Sequence, residues 1–234
     1  MFCKFTCKFL FTIHHSLFTK GQLRCPLNNN LYYNNNMNDI RAKITELKIG
    51  RKDDGIIIRC NRNTDTSAVL DNIAQTISNG AGIIELVGCG MSDGELLGLA
   101  KKTKQLCEMF GATLIIRNRA DIAHLSSADG VNLEQDALDI HSVREIVGKE
   151  CIVGLYINSR EDLIRSVKDG ADYISVGNIM STPTEPVTST GLEYAKWVSE
   201  NTSSPVLFCG NFSIQQKEQL KMAGATRFLT DGTI

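Results

Sequence analysis

Polar residues recur where short apolar runs of the chain end, and they are the side chains best suited to chemistry. Glu85 interrupts one run, and Arg117 and Asn118 directly follow the next. A carboxylate inside an apolar run needs a partner, because an unpaired buried charge is costly. Glu85 therefore either acts as a general base with a raised pKa or forms an ion pair with Arg117 or Arg119, and we favour the ion pair.

The histidines and cysteines predict neither acid–base catalysis nor a metal site. His124 and His141 fall away from the strand ends, so we expect surface or capping roles, and the other two histidines lie in the first 36 residues. The eight cysteines include no CxxC pair, which argues against a disulfide framework or a zinc site. We expect free buried thiols and no metal held by these side chains.

Strand-like and helix-like segments alternate from Asp39 onward. Ser92 and Glu95 predict a capping box that opens a helix, whose buried stripe ends at Phe110. A Gly-Ala pair precedes four of the strands, and glycine there is typical of a left-handed helix end. Strands are predicted at 56–58, 83–87, 113–116, 130–133, 152–156, 173–176, 206–208 and 227–230, and further helices at 69–77, 142–147, 160–168, 191–200 and 214–222.

Eight strands alternating with helices predict an α/β fold with a parallel sheet. Eight units fit a closed (β/α)8 TIM barrel better than an open sheet, and no GxGxxG follows the first strand to favour a dinucleotide fold. The sequence ends directly after the eighth strand, so we expect the barrel to lack its last helix. Residues 39–47, helical by pattern, could cover that part of the barrel instead, and truncation of the chain is the alternative.

Turns after the last strands are suited to phosphate. Exposed backbone N–H groups at glycine turns bind phosphate oxygens, and this is the usual place for a phosphate site in such barrels. A hydroxyl-rich loop at 181–184 could bind an anion as well. The predicted ligand-binding residues are Thr182, Thr184, Gly210, Asn211, Asp231, Gly232 and Thr233. Ordinary strand–helix turns are the alternative interpretation.

Composition excludes several classes of protein. The chain has 234 residues, 42% of them hydrophobic, which suits one globular domain with a large core. Its 25 basic and 26 acidic side chains give no electrostatic reason to expect nucleic acid. No apolar run reaches the roughly 18 residues that a membrane span needs. We predict a cytoplasmic domain that binds a small phosphorylated ligand, and the sequence leaves its oligomeric state open.

The first 37 residues differ from the rest. Residues 1–36 contain Lys4, Lys8, Lys20 and Arg24 but no acidic residue, and they end in an Asn-rich run. A secretory signal is interrupted by Lys8, and a transit peptide would contain more serine and arginine. We therefore predict that residues 1–37 are a poorly ordered or mis-called leader, with Met37 as the true start, and that residues 38–234 form the barrel.

Several stretches resemble thiamine phosphate synthase and its relative, the thiazole tautomerase. The motifs are GADYISVG at 170–177 with STPT at 181–184, LIIRNRADIA at 114–123, ADGVNLEQ at 128–135, and Pro205-Val206 leading to Gly210. The resemblance covers about residues 40–234 and implies the barrel fold. It also implies an enzyme of thiamine biosynthesis that joins a magnesium-bound pyrimidine diphosphate to thiazole phosphate. Mg²⁺ would be its cofactor if that chemistry is retained.

The chain departs from the family's pattern where the resemblance implies catalysis. The Gln-x-Arg-x-Lys pattern of strand two becomes Glu85, Val87 and Cys89, and the Asn-Asp after strand three becomes Arg117-Asn118. The lysine after the threonine loop is Glu185, and the tautomerase histidine after strand five is Asn158. If the chain is active, Glu85, Arg117 and Asn118 are the candidate catalytic residues. The alternative is a pseudoenzyme, a phosphate-binding or regulatory homologue on the same barrel.

Overall fold

Eight parallel strands follow one another around a closed barrel in chain order. The computed structural model describes residues 45–50, 54–177, 179 and 189–232. The strands are β1 (Gly55–Asn61), β2 (Ile83–Cys89), β3 (Thr113–Arg117), β4 (Gly130–Leu133), β5 (Ile152–Ile157), β6 (Tyr173–Val176), β7 (Val206–Cys209) and β8 (Phe228–Gly232). The pairing of β1 with β8 closes the barrel, so the predicted (β/α)8 TIM barrel is confirmed.

The helices lie between the strands and cover the barrel. They are α1 (Thr66–Ser78), α2 (Asp93–Phe110), α3 (Ala120–Leu125), α4 (Ile140–Val147), α5 (Arg160–Lys168), α6 (Ser189–Glu200) and α7 (Ile214–Met222). The capping box of Ser92 and Glu95 opens α2 as predicted. Phe110 was predicted to be buried, but 51% of it is exposed, because it lies in the last turn of α2, beyond the buried Cys107.

The Gly-Ala pairs end four helices as the sequence predicts. Gly80, Gly111, Gly170 and Gly224 have φ values of 102°, 73°, 78° and 100°, a region that only glycine enters at little cost. Gly111 is the left-handed cap of α2 and donates its backbone N–H to the Cys107 carbonyl. Each pair therefore turns a helix end directly into the next strand.

Alternate strand residues divide the core into two layers. The barrel interior holds a small apolar cluster that includes Ile57, Ile83, Ile115, Tyr173 and Leu229. The intervening strand residues point outward and pack under the helices in a larger cluster. Among the described residues, Glu85 pairs in register with Ile57 and Ile115 of this cluster, so a polar side chain adjoins the apolar interior layer.

Three aspartates tie the amino ends of the strands together in the same way. Asp54, Asp129 and Asp172 stand just before β1, β4 and β6. Each accepts a backbone N–H from the preceding strand in the barrel, at 3.0, 3.0 and 2.7 Å. Each also binds a cation from the helix that leads into that preceding strand. The cations are Lys217, Lys104 and Arg144, at 2.6, 2.9 and 3.0 Å.

Residues 45–50 lie against the amino end of the barrel. Ile49 is fully buried in the interior cluster, and the Lys48 ammonium donates to the Asp129 and Glu150 carbonyls at 3.0 and 2.7 Å. Residues 39–44 lie outside the described residues, so the predicted cover beside β8 stays a prediction. Within the described part of the chain, every helix is too short or too polar to cross a membrane.

Candidate functional site

A buried ion pair occupies the centre of the β2–β4 side of the barrel mouth. The Arg117 Nε donates to Glu85 Oε1 at 2.8 Å, and the Asn132 amide donates to the same oxygen at 2.9 Å. Glu85 is fully buried, Asn132 is 1% exposed and Arg117 is 6% exposed. The predicted ion pair between Glu85 and Arg117 is confirmed, whereas a catalytic role for either residue stays a prediction.

Arg117 is held between two carboxylates. Its Nη1 lies 3.5 Å from Glu134 Oε1, in addition to the contact with Glu85. Burial acts to lower the pKa of the guanidinium, but the charge of Glu85 and its hydrogen bond outweigh it and raise the pKa above its ordinary value. Glu85 Oε2, Arg117 Nη2 and Asn132 Oδ1 have no partner among the described residues. The cation is therefore neutralised locally, while part of its hydrogen-bonding capacity stays unused.

Asn118 links the turns after β3 and β4. Its amide donates to Glu134 Oε2 at 2.8 Å, and its Oδ1 accepts the Glu134 backbone N–H at 2.7 Å. The residue has a φ of 59°, in the left-handed region that asparagine tolerates better than most residues. Both ends of the Asn118 side chain are thus committed to Glu134.

Of the two predicted ligand-binding residues after β7, Asn211 is exposed, whereas the backbone N–H of Gly210 is already hydrogen-bonded. The Gly210 N–H already donates to the Leu229 carbonyl at 2.9 Å, so it continues the sheet. Gly210 has a φ of 155°, and a Cβ there would lie 3.0 Å from the Phe212 ring. Asn211 is exposed directly after it. At this turn, Asn211 and the chain that follows are the groups placed to meet a ligand.

Asp231 pairs with an arginine that the sequence analysis missed. Arg59 Nε and Nη2 donate to the two carboxylate oxygens of Asp231 at 2.9 and 3.3 Å. The Arg59 side chain is 45% exposed, and a guanidinium has five N–H donors, so donors remain for another group. A Cβ at Gly232 would lie 2.7 Å from Ile56, which indicates a packing reason for that glycine. The alternation of residues along β1 could have identified Arg59, because it points to the same inward side of the strand as Ile57.

Tyr156, a second missed residue, lies across the mouth. The Arg117 Cζ is 5.4 Å from the centroid of its ring. A Cβ at Gly177 would lie 1.6 Å from the phenol oxygen, so the end of the ring covers Gly177 at the end of β6. Burial is the main reason that the pKa of the phenol is raised. Tyr156 is half-buried and packs against the interior cluster, and it thus forms part of the mouth's surface.

The other predicted residues are spread around the same end of the barrel. Thr182, Thr184 and Thr233 lie outside the described residues, as does Glu185. Arg119 stands apart from Glu85 and pairs with Asp93 and Asp121 at 2.7 and 2.6 Å. The structure thus joins Glu85 directly to Arg117, and Glu134 links Arg117 to Asn118. Gly210 lies directly after β7. Asp231 and Gly232 were predicted to form a turn, but they belong to β8, because they pair with β1 as the barrel closes.

The sequence and the fold of this barrel are similar to those of known proteins. The sequence model of the thiamine monophosphate synthase family matches residues 56–229. The chain belongs to this family. Thiamine-phosphate synthase from Nostoc punctiforme is 31% identical over 160 residues, which is 68% of this chain and 46% of that protein. The synthase from Clostridioides difficile is 31% identical over 150 residues, 64% of this chain and 71% of that one.

The fold of the family is seen in a solved relative. Thiamine phosphate pyrophosphorylase from Pyrococcus furiosus superposes with a TM-score of 0.63 at 22% identity, over 82% of this chain and 87% of that one. The chain spans about half the length of several curated relatives that it matches, 46% of the Nostoc punctiforme protein among them. Membership of the thiamine monophosphate synthase family therefore agrees with the barrel fold described above.

The described residues do not fit the magnesium site that the family implies. The position after β3 is an amide, Asn118, and both of its ends bind Glu134. The Glu134 carboxylate also contacts Arg117, so it is engaged by two neighbours. Within residues 45–50, 54–177, 179 and 189–232, no group of three His, Cys, Asp or Glu side chains is placed to hold a metal ion.

Proposed function

We propose that this member of the thiamine monophosphate synthase family binds one small phosphorylated ligand at the barrel mouth and does not join the two halves of thiamine. The phosphate would meet the turn after β7 and the carboxyl end of β8, beside Asn211 and Arg59. The β2–β4 side would face the rest of the ligand. The proposed ligand is thus a small phosphorylated molecule, as the sequence predicts, and the transfer reaction of the family is not part of the proposal.

The pairing of Arg117 with Glu85 is the observation that carries the proposal. Loss of diphosphate needs positive charge where negative charge develops, and such preorganised contacts supply several kcal/mol each. Arg117 is instead neutralised by Glu85 at 2.8 Å and also contacts Glu134 at 3.5 Å. A buried cation with two carboxylate neighbours attracts a diphosphate weakly. The β2–β4 side therefore disfavours a departing diphosphate.

The charges around the mouth support the same conclusion. Arg59 and Arg119, which lie at the same end of the barrel as Arg117, are also paired with carboxylates. Together the three arginines face five carboxylates: Glu85, Glu134, Asp231, Asp93 and Asp121. A monophosphate carries less negative charge and therefore tolerates this balance better than a diphosphate, which needs a cationic clamp as it departs.

The synthase reaction is the second candidate function. It is favoured by the similarity to thiamine-phosphate synthases, 31% identity over 160 residues for the Nostoc punctiforme protein. In that case Arg117, with Nη2 unpartnered among the described residues, would have to release Glu85 to reach the diphosphate.

Calorimetry with the full chain separates the two candidates. Thiazole phosphate, and pyrimidine diphosphate with Mg²⁺, are titrated separately and then mixed while thiamine phosphate is assayed. We expect binding of thiazole phosphate and no product above the uncatalysed background. Product formed at a rate well above background would refute the proposal and establish the synthase reaction.

A matched pair of variants places the phosphate. Asn211→Asp adds a negative charge at the turn after β7, and Asn79→Asp adds the same charge at the end of α1, at the opposite end of the barrel. We expect thiazole phosphate affinity to fall about tenfold or more in the first, equivalent to about 1.4 kcal/mol, and to be unchanged in the second. Equal effects in both variants would contradict the assignment of the phosphate to this turn.

A further inference from the structure

Tyr156 is a large side chain at the mouth for which the proposed function has no role. It is the fifth residue of β5, and strand alternation points it inward, on the same side as Gly154. Its ring is partly open to the mouth and partly packed on the interior cluster. The side chain therefore helps to decide how much of the mouth a ligand can enter.

Its hydroxyl end covers the end of β6. A Cβ on Gly177 would lie 1.6 Å from the phenol oxygen and 2.2 Å from Cζ, closer than any real contact. Gly177 does not have a positive φ, so the backbone itself would accept a side chain at this position. The glycine is therefore required by the ring alone, and the ring lies directly on the β6 backbone.

The rest of the ring meets the polar side of the mouth. The Arg117 Cζ is 5.4 Å from the ring centroid, within the range of a cation–π contact. Arg117 is itself fixed by Glu85 at 2.8 Å and belongs to the buried part of β3. The ring is thus held from both sides, by the Gly177 backbone and by an immobilised guanidinium.

We propose that Tyr156 is the specificity-determining residue of this mouth, because its ring fills the space between β3 and β6 that a second ligand would need. This rests on the proposed function, in which the turn after β7 and the carboxyl end of β8 take a phosphorylated ligand. The site then holds one such molecule at a time, whereas a reaction that joins two molecules needs both together. Removing the ring opens the second place.

Competition calorimetry on the full chain tests this, with thiazole phosphate and the pyrimidine monophosphate as probes, because the mouth favours a monophosphate over a diphosphate. In the wild type and in Tyr156→Phe, which keeps the ring, one probe at 100 times its Kd weakens the other about a hundredfold. In Tyr156→Ala, both probes bind together without competition. Gly177→Ala is an independent route, because its Cβ must displace the phenol, and it is expected to reduce the competition as well.

The outcomes separate the two proposals. Simultaneous binding of both probes to the wild type would overturn the role of Tyr156 and leave phosphate binding intact. Competition that persists in Tyr156→Ala and Gly177→Ala would also overturn it, provided that a cooperative thermal transition shows each variant to be folded. If the wild type binds neither probe, the proposed function fails, and binding gained only in the two opened variants would still support exclusion by Tyr156. No binding in any variant would overturn both.

Discussion

Replacing Glu85 with glutamine should turn a neutral pair into an anion site. The glutamine Oε1 can still accept from Arg117 Nε and from the Asn132 amide, which now donate at 2.8 and 2.9 Å. Only the negative charge is lost, and the new amide takes the place of Oε2, which has no partner among the described residues. Glutamine is also the residue that the family pattern implies at this position. Arg117 would then lack its buried counter-charge.

The sizes of two opposite effects follow from this geometry. Removing the charge of one partner from a buried ion pair costs about 3–5 kcal/mol, because the other charge is left buried and uncompensated, and the variant should lose about that much stability. For a chain of this size that corresponds to a fall in Tm of about 6–20 °C. One restored charge-assisted contact should tighten pyrophosphate binding about tenfold, equivalent to about 1.4 kcal/mol.

Thermal unfolding and calorimetric titration with pyrophosphate measure both effects. The double variant Glu85→Gln/Arg117→Gln is the control, because any gain that depends on the released guanidinium must vanish in it. The gain should also shrink as salt is added. Pyrophosphate affinity that is unchanged in Glu85→Gln, with a folded protein, would refute the conclusion that Glu85 neutralises Arg117 toward ligands.

Three further changes test the fold and the thiols. Asp129→Ala leaves a strand N–H and two lysines without their carboxylate, so the free energy of unfolding measured in urea should fall by about 2–3 kcal/mol. This is less than the roughly 3–5 kcal/mol of a fully buried pair, because 17% of the Asp129 side chain is exposed. Gly154→Ala should cost about 1–3 kcal/mol or more, since its Cβ would lie 2.2 Å from the Tyr173 ring. Burial, with a smaller effect of Cys89, raises the pKa of the Cys60 thiol to about 11. At pH 8, iodoacetamide should therefore label the exposed Cys89 before Cys60, and Cys60 only after denaturation. Peptide mass spectrometry measures the labelling.

Each of these has a control within the chain. Asp71→Ala removes an exposed aspartate from α1 and should change stability by less than about 0.5 kcal/mol. Gly98→Ala adds a methyl group in open space on α2 and should stabilise the helix by up to about 1 kcal/mol. A cost for Asp129→Ala as small as that of Asp71→Ala would contradict the structural role of the carboxylate. Labelling of native Cys60 as fast as Cys89 would contradict its burial.

The barrel could be predicted because its signals are local. Capping residues, Gly-Ala pairs and β-branched runs act within a few positions of the chain, and the capping box of Ser92 and Glu95 and the positive φ of Gly111 are both confirmed. The prediction for Phe110 was wrong, because helical periodicity alone does not show where the neighbouring strands and helices stop covering a helix.

The site was only partly predictable because it depends on contacts between distant segments. The pair of Glu85 and Arg117 followed from the cost of a lone buried charge, which is a property of the sequence. Arg59 finds Asp231 across 172 residues, through the closure of β8 on β1. Tyr156 matters because its ring extends onto Gly177, and that direction depends on a rotamer and on the tilt of the strands.

The repeated aspartates at the amino ends of the strands have an evolutionary consequence. Asp54, Asp129 and Asp172 hold neighbouring strands and helices together at the end of the barrel that faces away from the mouth. Because this anchoring shares no side chain with Glu85 or Tyr156, changes at the mouth leave it untouched. A lineage can therefore exchange one binding chemistry for another while the barrel stays folded, and a library of mouth variants of this chain should contain mostly folded members.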